Sequence, residues 1–555
     1  MDVVKRVHPL LLVPPALVVA LALDQGGFDP SAWVWSGALA AWAAATVAVA
    51  SRQLQLSRTA WLWLASACAL LAWVGLSWLW SDRRVQTVLE LRRTAVYAAV
   101  VLALVVLVRR GTAQQLLVLT HAAIVAVILY ALARYLTETR TIDPFEGALL
   151  SQPLGYANAL AALAAIGIVL GVGIGAGTRE PWARAALAGS VPVLVAALPL
   201  TQSRGAALAV GAGITVVVLC VDDVGPVLRT AAVVVPGSAI AAIVASVSRL
   251  SDANATPRAH AAWIVGAVTI ACAAGTAIAA ASVRAAPRAR RVPRIAVAAT
   301  LTITALAAVA VIGLTQPRSS LWGVAWHEFA SHVAGGSGAG TFALAWARSG
   351  LVESRGGALD AHSLYLETLA ELGAVGLVLL FAFLALPLAR LSRLRSGNTP
   401  VAAGAYVVFL VHAGLDWDWE MPAVVLAGLC CGAVALRSAE AQPRPVKPSG
   451  RAAIVALVLG LGALSIAGAR SSSEPGVARP LGLAVRGARV AVIPAVVPVT
   501  LPVLRLRNGL GRAGREGVAV AEVRLQRPRR HGDQVPRVLL RVRAVADLHA
   551  VLRAR

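Results

Sequence analysis

Apolar residues run in long blocks along this chain, near residues 9–23, 31–50, 61–80, 94–108, 115–136, 157–177, 182–200, 203–221, 229–247, 260–283, 295–314, 365–389, 401–415, 420–436 and 452–469. Blocks of about 15–25 residues are long enough to cross a hydrocarbon core of about 30 Å. Lipid offers backbone N–H and C=O groups no partner, so each block predicts a helix that satisfies them internally. The pattern predicts an all-α polytopic membrane protein with about 12–15 transmembrane helices.

The connectors alternate in charge. Lys5 and Arg6, Arg52 and Arg58, Arg109 and Arg110, the arginines between 284 and 294, and Arg390, Arg393 and Arg395 all fall on one side if every block spans. The charge rule makes that side cytoplasmic. The opposite connectors carry Asp24 and Asp29, then Glu138, Asp143 and Glu146, then Asp416, Asp418 and Glu420. Segment 81–93 breaks the pattern, because it lies outside by this count yet holds Arg83, Arg84, Arg92 and Arg93. Val85, Val88 and Leu89 share a helical face there, which predicts an interfacial amphipathic helix on the outer surface. A miscounted span is the alternative.

These blocks divide the chain into N-terminal helices over 1–314, a long extracytoplasmic loop over 315–362, C-terminal helices over 363–470 and a basic tail over 471–555. Within the loop, Trp322, Trp326, Phe329 and Val333 recur at helical spacing and predict an amphipathic helix resting on the bilayer or on neighbouring spans. Loops this long in a compact protein are usually functional. The tail lacks Phe, Trp, Tyr and Lys, and Pro494, Pro498 and Pro502 interrupt its best apolar run. Prolines so placed argue against another span, and no fold is predicted for it.

Composition agrees with the membrane reading: 58% of residues are hydrophobic and 14% charged. The net charge of +24 is carried almost wholly by arginine. These arginines flank apolar blocks, so they read as topology signals rather than as a nucleic-acid surface. Cys68, Cys220, Cys272, Cys430 and Cys431 all sit inside apolar blocks and have no metal-ligand or disulfide spacing. No metal or cofactor is expected.

Four constellations carry candidate chemistry. Asp360-Ala361-His362-Ser363-Leu364-Tyr365 lies where the long loop re-enters the membrane. Asp360 is placed to cap the following helix, with His362 in its first turn. The positive helix end would keep the imidazole neutral, as a general base requires, and would favour a bound anion. The alternative is a purely interfacial histidine. Thr201-Gln202-Ser203-Arg204-Gly205 joins two blocks with almost no loop, at the level of a lipid phosphate. Arg204 there either snorkels to the interface or clamps an anion with its guanidinium fork. Arg318, Arg348 and Arg355 add cations along the loop and suit a pyrophosphate, although solvated charges are common in loops. His412, Asp416, Asp418 and Glu420 cluster on another outer connector, where the acids would hold His412 or a loop arginine or simply face solvent. Two further patterns are set aside. His327 and His332 are five residues apart, about 140° around a helix, too far to share a zinc ion. The run 335–340 follows no strand, so it reads as a flexible turn or a set of backbone donors rather than a dinucleotide loop.

The stretch from Arg318 through Phe381 resembles the signature region of the O-antigen ligase and polymerase superfamily. The matching parts are Arg318, Trp322, Gly336-Ser337-Gly338-Ala339-Gly340-Thr341-Phe342, His362 and the helix Leu366 to Gly376. Upstream, Ser203-Arg204-Gly205 and Gly155-Tyr156-Ala157-Asn158 resemble two further family segments, so the similarity runs from about Trp61 to Leu436. The family often has Asn after the histidine, where this chain has Ser363. The resemblance implies a GT-C-like, metal-independent glycosyltransferase of the bacterial plasma membrane, with its active site outside the cytoplasm. It implies an undecaprenyl-pyrophosphate-linked glycan as donor and a hydroxyl on a glycan, lipid or protein as acceptor. His362 would deprotonate or orient the acceptor, Arg204 and Arg318 would hold the pyrophosphate, and Arg355, Tyr365 and Asp416 would complete the substrate site. A polymerase that joins lipid-linked repeat units shares fold and donor. A transporter of lipid-linked oligosaccharide is the non-enzyme rival, but transporters carry ionisable groups at mid-membrane, whereas these collect at the outer surface.

Overall fold

A computed structural model describes residues 8–51, 54–138, 142–143, 145–254, 260–282, 295, 318–351, 358–389, 397–438 and 443–471, with four short strands beyond. The protein is an all-α polytopic membrane protein. Among the described residues, ten α-helices precede the long loop: α1 (Val13–Leu23), α2 (Pro30–Ala50), α3 (Arg58–Ser77), α4 (Arg84–Leu107), α5 (Ala113–Thr137), α6 (Ala157–Gly177), α7 (Pro181–Thr201), α8 (Arg204–Cys220), α9 (Gly225–Val247) and α10 (Ala261–Ser282). The loop forms α11 (Ser319–Ser331) and α12 (Phe342–Ser349). Then come α13 (Leu364–Ala385), α14 (Thr399–Ala413), α15 (Pro422–Ser438) and α16 (Pro448–Ser471). Among the described residues, nine helices are long and apolar enough to cross a membrane, and α1, α8, α14 and α15 are shorter apolar helices. The apolar block expected at 295–314 lies outside the described residues, apart from Ile295.

Local chemistry starts these helices where the hydropathy does. Asp29 accepts the Ser31 N–H at 2.8 Å ahead of Pro30, and Ser57 accepts the Ala60 N–H at 3.1 Å. Such caps satisfy N–H groups that have no partner within the helix. Helix α6 is apolar on every side and lies buried at the centre, against α5, α7, α8, α9 and α14. Small residues let the helices close up. At the crossing of α8 and α14, a Cβ on Gly213 would stand 2.8 Å from the Gly404 carbonyl oxygen. Close backbone approach of this kind is how helices associate when no hydrophobic drive separates lipid from protein.

The connectors gather at two ends. At one, Arg437 donates to the Val108 and Gln55 carbonyls at 2.8 and 3.2 Å, and β1 (Gln55–Leu56) pairs with β2 (Arg444–Pro445). At the other, Phe28 meets Trp417 at 5.7 Å, Gly335 lies against Trp80, and Gln202 donates to Ser251. The long loop belongs to this second end.

Segment 81–93 is not a separate interfacial helix. Residues from Arg84 onward are the first turns of α4, and Arg92 and Arg93 are buried. Arg93 pairs with Glu90 and, at 2.9 Å, with Glu420, while its guanidinium lies over the Trp419 ring. Arg92 lies 6.0 Å from the Trp33 ring. Buried and paired with two acids, Arg93 carries no topological signal, so counting it misleads the charge rule.

The loop helix α11 packs on α13 through Leu321, Val324 and Ala325. The predicted stripe is on the opposite face, where Trp326 and Val333 are 59% and 54% exposed. Among the described residues no span covers Trp326 and Val333, and this exposed face is the one a bilayer surface would receive.

Helix α13 is broken at Gly373, whose φ of 65° and ψ of −168° suit glycine alone. The glycine run mends the break. The Ala370 and Glu371 carbonyls accept from the N–H groups of Ser337 and Gly338 at 3.1 and 2.7 Å. The Ala374 and Val375 N–H groups donate to the Val333 and Ala334 carbonyls at 2.8 and 3.3 Å. Residues 333–338 therefore spend their backbone groups on α13. Backbone freed inside a membrane protein survives only when other protein groups re-satisfy it.

Residues 479–555 form a second unit. Its described backbone is two antiparallel hairpins, β3 (Gly482–Val485) with β4 (Ala488–Ala491) and β5 (Val518–Val523) with β6 (Val538–Arg543).

Candidate active site

The connector from Gly414 to Met421, between α14 and α15, organises the loop end of the bundle. Asp416 is its hub. One carboxylate oxygen accepts from the Tyr156 hydroxyl at 2.5 Å and from the Trp417 N–H at 2.8 Å. The other accepts from Asn158 at 2.6 Å and from the Arg318 guanidinium at 3.0 Å. Burial alone would raise the Asp416 pKa, but Arg318 and the nearby histidines outweigh it and hold the group below the usual carboxylate range. The Gly-Tyr-x-Asn segment thus has a physical role: Tyr156 precedes α6, Asn158 lies in its first turn, and both reach the same acid. The Trp417 ring stacks on Tyr156 at 4.2 Å and closes the hub from one side.

His362 lies within reach of the charges of Asp416 and Arg318, both of which act on its imidazole. It is not in the first turn of α13. Ser363 takes the N-cap position, and His362 precedes it with a left-handed φ of 50°. Such a conformation is uncommon for a residue with a side chain and costs of order 1–3 kcal/mol unless its surroundings impose it. Two carboxylates impose it here. Asp360 accepts the His362 N–H at 2.8 Å, and Glu367 accepts the Ala361 N–H at 2.7 Å. The same Asp360 oxygen lies 2.6 Å from His362 Nδ1. Asp360 is therefore the partner of the histidine rather than the helix cap. Burial pulls the His362 pKa down, but the contact and charge of Asp360 exceed it, and the net direction is upward. The helix-end effect expected from sequence is overridden by a carboxylate at contact distance.

His412 lies beneath the hub and is fully buried. Its Nδ1 is 3.1 Å from Asp418, and its Nε2 is 3.4 Å from the Ser203 hydroxyl. Ser203 precedes α8, which Arg204 opens, and Gly205 also faces His412. The Ser-Arg-Gly junction is thereby brought to the same connector as Arg318 and Asp416, with Arg204 half-buried. Burial raises the Asp418 pKa despite its histidine.

The remaining sequence candidates fall elsewhere. Tyr365 donates its hydroxyl to the Leu410 carbonyl at 2.8 Å and stacks on Phe381, so its polar group is engaged in packing α13 against α14. Arg348 pairs with Asp82 at 2.9 Å at an exposed position. Arg355 lies outside the described residues.

Behind the His362 turn is a cavity of about 110 Å³ between α3, α4, α13 and α15. Its walls are apolar except for Glu90, Arg93, Thr94, Glu367, Thr368 and Glu371. Glu371 accepts from the N–H groups of Gly340 and Phe342, both at 2.8 Å, so the acids of α13 hold the loop in place. Sequence reading missed this work. The available signal was the four-residue spacing of Glu367 and Glu371, which puts both on one face of an otherwise apolar helix.

Comparison with protein-family models finds no match, and comparison with curated proteins finds none either.

Proposed function

We propose that this protein is a membrane glycosyltransferase of the O-antigen ligase type. In this reading it moves a glycan from an undecaprenyl-pyrophosphate carrier to an acceptor hydroxyl on the outer face of a bacterial plasma membrane, on a GT-C-like scaffold. One arrangement carries it: an imidazole held in a left-handed turn, with a carboxylate 2.6 Å from Nδ1, lies within reach of the charge of an arginine that a buried aspartate fixes.

The chemistry follows from the residues. The acceptor oxygen attacks the anomeric carbon as the bond from that carbon to the pyrophosphate oxygen breaks. The electron pair leaves with the pyrophosphate, and the acceptor proton passes to His362. Asp360 on Nδ1 directs the opposite nitrogen outward and stabilises the imidazolium that forms. The leaving group is anionic throughout, so the main demand is fixed positive charge. Arg318 meets it with a guanidinium fork whose direction Asp416 sets, and Arg204 supplies a second cation from the start of α8.

The test is reconstitution in liposomes with an undecaprenyl-pyrophosphate-linked glycan and a panel of glycan, lipid and protein acceptors. Wild type transfers the glycan, and His362→Ala lowers the rate by about 10²–10⁴-fold, the usual worth of a general base, while the protein still purifies folded. Full activity in His362→Ala would overturn the base role. Growth of the donor chain without transfer to a distinct acceptor would move the reading to a polymerase. Movement of intact donor across the bilayer without bond cleavage would move it to a transporter.

A further inference from the structure

The end of the bundle opposite His362 carries a second, unrelated cavity. It holds about 430 Å³ between the start of α1, the ends of α2 and α4, and the turn that leads into α5. That volume lies within the range of about 300–1,000 Å³ typical of small-molecule sites. Its depth is apolar, with Leu11 and Val47 buried in its wall. Its mouth is polar, formed by His8, Ser51, Arg109 and Thr112.

The charge there is one-sided. The other arginines of the bundle with carboxylates at hand use them: Arg93 on Glu90 and Glu420, Arg318 on Asp416, Arg348 on Asp82. For Arg109, the described residues offer the Ser51 hydroxyl at 3.4 Å, and no acid among the described residues lines the cavity. Thr112 holds the Arg109 backbone: its hydroxyl accepts the Arg109 backbone N–H at 3.0 Å and donates to the Arg109 carbonyl at 3.2 Å. A guanidinium beside the Ser51 hydroxyl, at the mouth of an apolar slot and at the level where spans end, matches a phosphate ester with hydrocarbon attached.

We infer that this cavity binds an anionic glycerophospholipid, with its phosphate on Arg109 and Ser51 and an acyl chain against Leu11 and Val47. The site stands apart from the transfer chemistry, so its test does not depend on it.

The experiment embeds the full chain in nanodiscs of equal phosphatidylglycerol and phosphatidylcholine, then counts co-released lipid by native mass spectrometry. Wild type retains phosphatidylglycerol in preference to phosphatidylcholine. Arg109→Gln lowers that preference about fivefold, the worth of one arginine near a lipid phosphate. Arg348→Gln, at the far end, leaves it unchanged. Equal retention of the two lipids by wild type overturns the proposal, and so does an unchanged preference in Arg109→Gln. If Arg109→Gln does not fold, inorganic phosphate decides on wild type. Thermal stabilisation by inorganic phosphate equal to that by phosphatidylglycerol overturns the lipid assignment, and stabilisation by phosphatidylglycerol alone upholds it.

Discussion

His362 has to be neutral to accept a proton, yet its pKa is raised by the residue that aims it. Burial opposes that rise, and Asp360 wins because it sits 2.6 Å from Nδ1. The sign of the pH dependence follows. The base form fills as pH climbs through a pKa raised above the ordinary imidazole value, so transfer should rise with pH along an acid limb there. Asp360→Asn removes the charge that raises the pKa and leaves the burial that lowers it. The acid limb should therefore move to lower pH, and the plateau rate should drop about tenfold or more as the imidazole loses its orientation. A pH–rate profile of the reconstituted variant checks this. An acid limb that stays put would mean that Asp360 shapes only the backbone turn. The candidacy of residue 362 is legible in sequence, since a histidine at a membrane re-entry invites a role. Its electrostatics were not. Sequence distance put Asp360 at a helix cap, whereas the left-handed turn moves the helix start to Ser363 and folds the carboxylate back onto the ring.

At the scale of elements, the break in α13 holds the loop against the bundle. Gly373 adopts a conformation that other residues do not reach without strain, and a Cβ there would stand 2.3 Å from the Ala334 carbonyl oxygen. Gly373→Ala must therefore either straighten α13, which strips four backbone groups of their partners in the 333–338 loop, or carry the strain. Strain alone costs about 1–3 kcal/mol. We expect a fall of several degrees in the midpoint of thermal unfolding in detergent, together with loss of transfer, because α11 and the His362 turn hang from this junction. An unchanged midpoint would show that the loop does not depend on the break. Hydropathy found the helix limits well, because lipid demands apolar length and leaves little choice. It could not find the break, since Glu-Leu-Gly-Ala is compatible with a continuous helix and the partners that stabilise the kink lie about 40 residues upstream. The misreading of 81–93 has the same origin. The charge rule counts arginines, and the Glu420 that neutralises Arg93 is 327 residues away.

For the molecule as a whole, the question that governs function is which compartment the site faces. A count of spans answers it only if no span is miscounted, and the block at 295–314 lies outside the described residues. Contacts settle the relative placement without a count. Phe28 touches Trp417, whose neighbour Asp416 holds Arg318, so the connector after α1 and the site share one end. Arg110 follows α4 in the turn at the other end, beside the Arg437 contact with Val108. If the arginine-flanked end is cytoplasmic, as the charge rule predicts, His362 faces outside. Single cysteines can decide this in a background where the five native cysteines are replaced by alanine. Leu359→Cys and Phe28→Cys, both at exposed positions, should react with a membrane-impermeant maleimide in intact cells. Arg110→Cys should react only after the membrane is opened. Labelling of Arg110→Cys alone in intact cells would turn the molecule over, deny the site its outer-leaflet donor and remove the basis for the proposed transfer. Labelling of Leu359→Cys and Arg110→Cys together would break the two-ended arrangement itself, because no single crossing of the bilayer could then separate His362 from the arginines.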